Sequence, residues 1–180
     1  TILIEAALMA SKMPSGFYRQ HFGFETWMDF EQLTWKQIKK DAINYQLDPE
    51  GELVGYDMNA KTLEKAQQNI RGAKLHHDIQ LKEQEFSKSK KPFDSGLIVM
   101  NPPYGERLKK QDIDEFYKMI GDKLKNDYQG FEAWIISSDL KAIKQIGLKT
   151  TEKKILYNGA LECRYNKYEL YSGSLKTKTD

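Results

Sequence analysis

The apolar and polar positions along the chain fall into blocks of changing period. Residues 2, 3, 4, 6, 7, 8 and 9 are apolar, which predicts a helix over Thr1–Ala10 buried on most of its surface. The period is lost over Lys12–Thr26, an aromatic stretch with Pro14, Gly16 and Gly23 that reads as a long loop. Helical spacing returns over Asp29–Leu47, through Leu33, Trp35, Ile38, Ala42 and Tyr45. Residues 48–51, "DPEG", form a turn, because Pro fixes φ and Gly permits a positive one. Glu52–Asp57 is then a short strand. Asn59 caps a helix to about Arg71 whose inner face is Leu63, Ala66 and Ile70.

Further along, Ile79–Lys82 is a weak strand and Ser87–Lys91, "SKSKK", a polar loop. Ser95–Met100 alternates too little to be a half-exposed strand. Gln111–Asn126 is a helix, Phe131–Ser138 a buried strand and Asp139–Ile146 another helix. Two closing strands, Thr150–Tyr157 and Leu161–Tyr171, flank a turn containing Asn158-Gly159. Strands alternating with helices predict an α/β fold with a mostly parallel sheet covered on both faces, to which the hairpin adds an antiparallel strand. In such sheets ligands bind beyond the carboxyl ends of strands. That singles out Asp57, Glu83–Glu85, Asn101–Tyr104 and Ser137–Asp139.

The bulk numbers add limits. A chain of 180 residues fits one domain. Its 28 Lys and Arg against 26 Asp and Glu, net +2, neither demand nor exclude a nucleic-acid partner. The single cysteine, Cys163, rules out an internal disulfide or cysteine metal cluster and suits a reducing, cytoplasmic setting. No apolar run approaches the roughly 20 residues of a membrane span. The opening "TILIEAALMA" lacks a basic n-region and is broken by Glu5, so it reads as a helix and not a signal peptide.

At the strand ends, Asp57 could accept from both hydroxyls of a ribose, or could simply favour a helix N-terminus. Glu85 could accept from an adenine amino group; Asp78, before the same strand, competes, and either could be a solvated acid. Asn101-Pro102-Pro103-Tyr104 is more specific. An exocyclic purine amino group is a poor nucleophile because its lone pair is delocalised. The Asn101 side-chain oxygen and the Pro102 carbonyl are two acceptors for its hydrogens, favouring a pyramidal nitrogen aimed at an electrophile. The prolines remove N–H donors and stiffen the turn. Tyr104 offers a stacking face, worth about 1–3 kcal/mol per base, to a base that is unpaired or flipped out. No G-x-G-x-x-G follows any strand, which counts against a nicotinamide-dependent dehydrogenase.

Other features stay structural. His76-His77 lacks a third metal ligand at a suitable spacing, Cys163 reads as a small core residue, and the "SKSKK" and tail lysines as solvated. Arg107 either contacts phosphate or fixes its loop. Phe17, Tyr18, Phe22, Phe24 and Trp27 read as core more than as a base platform.

"NPPY" resembles the motif of amino-group methyltransferases that use S-adenosylmethionine. The longer "NPPYGERL", with "TILIEAALMA", "PSGFYRQHFGFETW" and "NGALECRYNKYEL", resembles the bacterial large-subunit rRNA guanine-N2 methyltransferases, whose relatives are often labelled adenine-N6 DNA methylases. The resemblance covers nearly the whole chain. It implies a Rossmann-like methyltransferase fold, with residues 1–180 forming a catalytic domain that lacks its N-terminal part. Asp57 then binds the cofactor ribose and Glu85 its adenine, while Asn101, Pro102, Pro103 and Tyr104 hold the target base. Asn101 also borders the cofactor, as does Thr1, which matches the residue directly after the family's glycine-rich cofactor loop. That loop, the first strand and an RNA-binding THUMP module precede this region in the family. The implied partner is 23S rRNA, with no metal and no membrane. Adenine N6 in RNA or DNA is the alternative target. A non-catalytic Rossmann-like nucleic-acid-binding fragment is the alternative of another class.

Overall fold

The computed structural model describes residues 1–103 and 110–171, with the backbone alone at residues 110 and 111. Among the described residues the strands form a two-stranded and a four-stranded sheet. They fall into a first compact unit, Thr1–Glu85, and a second that begins at Phe86.

The first unit runs α1 (Ile2–Ala10), α2 (Gln32–Asn44), β1 (Leu53–Asp57), α3 (Ala60–Gly72) and β2 (Ile79–Glu83). β1 and β2 are parallel, with Leu53 opposite Ile79 and Asp57 opposite Glu83. Their core is Ala7, Ile70, Leu75 and Ile79, with Leu3, Ile4, Leu8, Leu53 and Leu81 packed around it. Gly55 marks the closest approach of α1. A Cβ there would lie 2.3 Å from Leu3 Cδ1 and 2.9 Å from Leu81 Cδ2. α1 is less buried than its dense apolar run predicts: Ile2 is 50% and Met9 78% exposed, because a two-stranded sheet covers only one side of it.

α2 starts three residues later than its spacing suggests and buries no residue fully. It is held through Trp35, which meets the Phe22 and Phe24 rings edge-on at 5.4 and 5.0 Å. Its indole N–H donates to Glu25 at 2.9 Å. The aromatic loop is thus partly a small core, with a 3-10 turn at Gly23–Thr26, although Trp27 remains 67% exposed. α3 begins as its sequence dictates: Asn59 Oδ1 accepts from the Thr62 amide at 3.2 Å. Asn59→Ala should cost about 1 kcal/mol, read as a lower urea midpoint at unchanged slope.

The second unit contains β3 (Gly96–Met100), α4 (Lys110–Asp127), β4 (Phe131–Ser137), β5 (Thr150–Asn158) and β6 (Leu161–Glu169). The sheet order is β3-β4-β6-β5. β3 and β4 are parallel, and β6 is antiparallel to both β4 and β5, so β5 runs in the same direction as β4. β4 alternates strictly, its odd positions Phe131, Ala133 and Ile135 facing the core formed with Ile113, Tyr117, Ile120 and Leu124. The hairpin turn has Gly159 at φ +62° as the first of its two loop residues, a position that type II′ turns give to glycine. Burial pushes the Tyr168 phenol above its ordinary range.

Three expectations are corrected here. β3 is not doubly covered: Leu97 is 61% and Val99 39% exposed, while Ile98 and Met100 pack on the core. Among the described residues it pairs only with β4. The helix expected over Asp139–Ile146 is a 3-10 segment, Ala142–Ile146, ended by Gly147 at φ +66°. Finally, the polar "SKSKK" loop hides a core residue. Ser89 is fully buried, its hydroxyl 2.7 Å from the Phe86 carbonyl and 2.6 Å from the Tyr128 hydroxyl.

Candidate functional site

In the first unit the parallel register places Asp57 and Glu83 side by side at one edge of the pair. The Gln84 amide donates to the Asp57 carbonyl at 3.0 Å and ties the two strand ends together. The half-buried Asp57 side chain accepts from the Asn59 amide at 2.8 Å. This bond uses one carboxylate oxygen and sets the direction of the group. Asp57 is therefore not the helix cap; Asn59 is. Glu85 lies just past β2 on the same edge and is exposed. Asp78 precedes β2 and so sits at the opposite end of the strand from Glu83. Thr1 is the N-cap position of α1, where its carbonyl accepts from the Glu5 amide at 3.1 Å but its side chain makes no cap bond.

In the second unit Asn101, Pro102 and Pro103 leave β3 directly. Because Met100 pairs with Ile135, the turn lies at the edge where β4 ends in Ser137. Pro102 is buried and anchors the turn, while Asn101 is exposed. Among the described residues the Asn101 carboxamide takes no hydrogen bond. Tyr104 and Arg107 lie outside the described residues, as do the tail lysines. Beside this turn, Ser137 to Asp139 is structural. The Tyr117 hydroxyl donates to Ser137 Oγ at 2.8 Å, and Asp139 Oδ1 accepts from the Lys141 and Ala142 amides, both at 2.9 Å. The structure thus groups Asp57 with Glu83–Glu85 in one unit and Asn101–Pro103 with the end of β4 in the other.

Other candidate groups have local explanations. His76 and His77 are exposed, their rings 4.1 Å apart. Cys163 is buried, its thiol 3.7 Å from the Leu161 carbonyl. Among the described residues no group of three or more His, Cys, Asp or Glu could hold a metal ion.

Residues 1–167 match the family model described as the RMKL-like methyltransferase domain. The chain belongs to that family. A curated relative, the ribosomal RNA large subunit methyltransferase K/L of Shewanella baltica (strain OS185), is 33% identical over 184 aligned positions. The match covers 99% of this chain and 26% of the relative, so the chain spans about a quarter of that protein's length. Among solved structures, SMU.472 complexed with SAH superposes with a TM-score of 0.85 at 24% identity, covering 96% of this chain and 46% of that one. A predicted N6-adenine-specific DNA methylase from Listeria monocytogenes str. 4b F2365 gives 0.78 at 26% identity, covering 94% and 43%. The fold of this RMKL-like domain is accordingly the Rossmann-like methyltransferase fold. Among the described residues, none of its helices is long and apolar enough to cross a membrane.

Sequence reasoning missed one feature of the site's surroundings. The β5–β6 hairpin rises at the same sheet edge as the Asn101 turn. "NGALECRYNKYEL" predicts the turn and the closing strand of that hairpin, but nothing in one sequence reveals that β5 is aligned with β4.

Proposed function

We propose that this domain carries the catalytic machinery of an S-adenosylmethionine-dependent methyltransferase acting on an exocyclic purine amino group in large-subunit ribosomal RNA, with guanine N2 as the target. The observation that carries the reading is the Asn101-Pro102-Pro103 turn at the end of β3: an exposed carboxamide beside a buried proline, on a domain of this family. S-adenosylmethionine, when bound, supplies a methyl group on a positively charged sulfur. The acidic edge of the first unit fits such a ligand. Asp57, Glu83 and Glu85 would repel the phosphates of a dinucleotide but suit a nucleoside that carries none. Asp57, with one oxygen engaged by Asn59, offers the other to ribose hydroxyls. Glu85 takes the adenine amino group and Thr1 borders the same ligand.

Asn101 Oδ1 and the Pro102 carbonyl accept the two amino hydrogens of the target base, Pro103 keeps the turn stiff, and Tyr104 stacks on the ring. This holds the nitrogen lone pair in line for attack. The proton leaves after attack, so no strong base, metal or covalent intermediate is needed. Docking of the rRNA is aided by an RNA-binding THUMP module of the intact protein, in the bacterial cytoplasm. Mass spectrometry of 23S rRNA nucleosides from a deletion strain should show loss of N2-methylguanosine. Loss of N6-methyladenine instead would assign the adenine reading, which the Listeria neighbour's description favours. Retention of both would overturn the proposal.

A further inference from the structure

The hairpin at the far side of the sheet combines three properties that belong together. The first is direction: β6 is antiparallel to β4 and β5 is antiparallel to β6, so β5 ends at the same edge as β4 and β3. The second is length. Ser137, the last residue of β4, pairs with Arg164, which pairs with Ile155. Three more rungs follow with no β4 partner: Leu156 with Cys163, Tyr157 with Glu162 and Asn158 with Leu161. At about 3.4 Å per residue the tip stands roughly 10 Å proud of the β4 end. The third is exposure. Tyr157 is 69%, Ile155 54%, Leu161 53% and Leu156 40% exposed, so β5 is open along these rungs, while Cys163, opposite Leu156 on β6, is buried.

Cations lie at the base of the hairpin, and the charge carried by the three projecting rungs is Glu162, the cross-strand neighbour of Tyr157. Between Lys153 and Arg164 there are three cations, Lys153, Lys154 and Arg164, against the one carboxylate of Glu162. Lys154 lies over the Trp134 ring, 5.1 Å from its centroid, and 3.1 Å from Glu152. Arg164 is 3.1 Å from Glu162. Lys153 has no ion-pair partner among the described residues. An exposed aromatic ring on a hairpin whose base carries cations is a combination that binds unpaired nucleotides. Its place fits as well. β3 and β5 are three strand spacings apart, about 14 Å. With the roughly 10 Å by which the tip projects, Tyr157 lies about 17 Å from the Asn101 end of β3, a span of about five stacked nucleotides at about 3.4 Å each.

We propose that the β5–β6 tip, through Tyr157, is a second RNA-contact surface that stacks on an unpaired nucleotide about five positions from the modified one and so helps select the RNA segment presented to Asn101. This rests on the RNA reading above. The test uses the full-length protein and a short fluorescein-labelled single-stranded RNA containing one guanine. By anisotropy, Tyr157→Ala should weaken RNA binding about tenfold, the loss of one stacked base. Tyr157→Phe, which keeps the ring, should bind as wild type. Both variants should keep wild-type S-adenosylhomocysteine affinity by calorimetry and the wild-type melting temperature. Wild-type RNA affinity in Tyr157→Ala, or an equal loss in Tyr157→Phe, would overturn the proposal. So would unchanged RNA affinity with loss of a wild-type dimer in sedimentation, which would assign the tip to self-association. Binding is read without turnover, so failure here is separable from failure of the amino-group chemistry, which Asn101 variants report.

Discussion

Replacing Asn101 with alanine in the intact protein should lower the single-turnover methylation rate about 10²–10³-fold, while S-adenosylhomocysteine still binds. Asn101 is exposed at the head of its turn, so its truncation leaves no cavity and no buried polar group without a partner. Pro102, which is buried and anchors the turn, is untouched. The loss would therefore report chemistry and not unfolding. Its size follows from the role. One preorganised hydrogen-bond partner at a reacting centre is worth about 2.7–4 kcal/mol in the transition state, far more than the ~0.5–1.5 kcal/mol of an ordinary bond. A near-normal single-turnover rate in this variant would remove Asn101 from the reacting centre and with it the central assignment.

The second large effect is on stability. Gly121 lies in α4 where that helix crosses the 3-10 segment. A Cβ there would sit 1.9 Å from the Ile146 carbonyl oxygen, 2.7 Å from its carbon and 2.9 Å from Cα. All three are backbone atoms, so no side-chain rotation relieves the clash. Gly→Ala inside a helix ordinarily stabilises by up to about 1 kcal/mol. Overpacking a tight contact costs typically about 1–3 kcal/mol, occasionally more. With backbone as the obstacle, the steric cost dominates. Gly121→Ala should destabilise by about 3 kcal/mol, or prevent soluble expression, as read by urea denaturation and yield. A stabilised variant would show that α4 and the Ile146 segment do not meet this closely.

Where a short signal determines its own geometry, the sequence was legible. Asn59 with Thr62 three residues on makes a cap whatever else happens. The turn after Asn158 needs a residue that accepts positive φ, and Gly159 supplies it. The strand before Asn101 ends because two prolines forbid its continuation. What was not legible depends on neighbours. Leu97 and Val99 look like core in a five-residue apolar run, yet they are open because only one face of β3 packs on α4 and its surroundings. Ser89 looks solvated within "SKSKK", yet Tyr128, 39 residues away, supplies its partner. The choice between Glu85 and Asp78 could not be made from spacing. The parallel register puts Asp57 beside Glu83 and leaves Asp78 at the other end of β2. The Asn101-Pro102-Pro103 turn stood out because its residues are chemically unusual together. The hairpin was legible too, but the alignment of β5 with β4 was not, because the direction of a strand within its sheet depends on its partners.

β6, the last strand among the described residues, is also an interior strand of its sheet. It separates β4 from β5 and carries the buried Cys163, Asn166 and Tyr168. During synthesis β4 therefore emerges well before the strand that covers its edge. At about 5–20 residues per second, that edge waits for a few seconds, open to mispairing with another nascent chain. The β5–β6 turn shortens the search once residues 161–169 arrive, since a local hairpin closes within microseconds. The sheet is thus completed from its end inward, and a frameshift or early stop within β6 would remove the one strand that joins β5 to the rest.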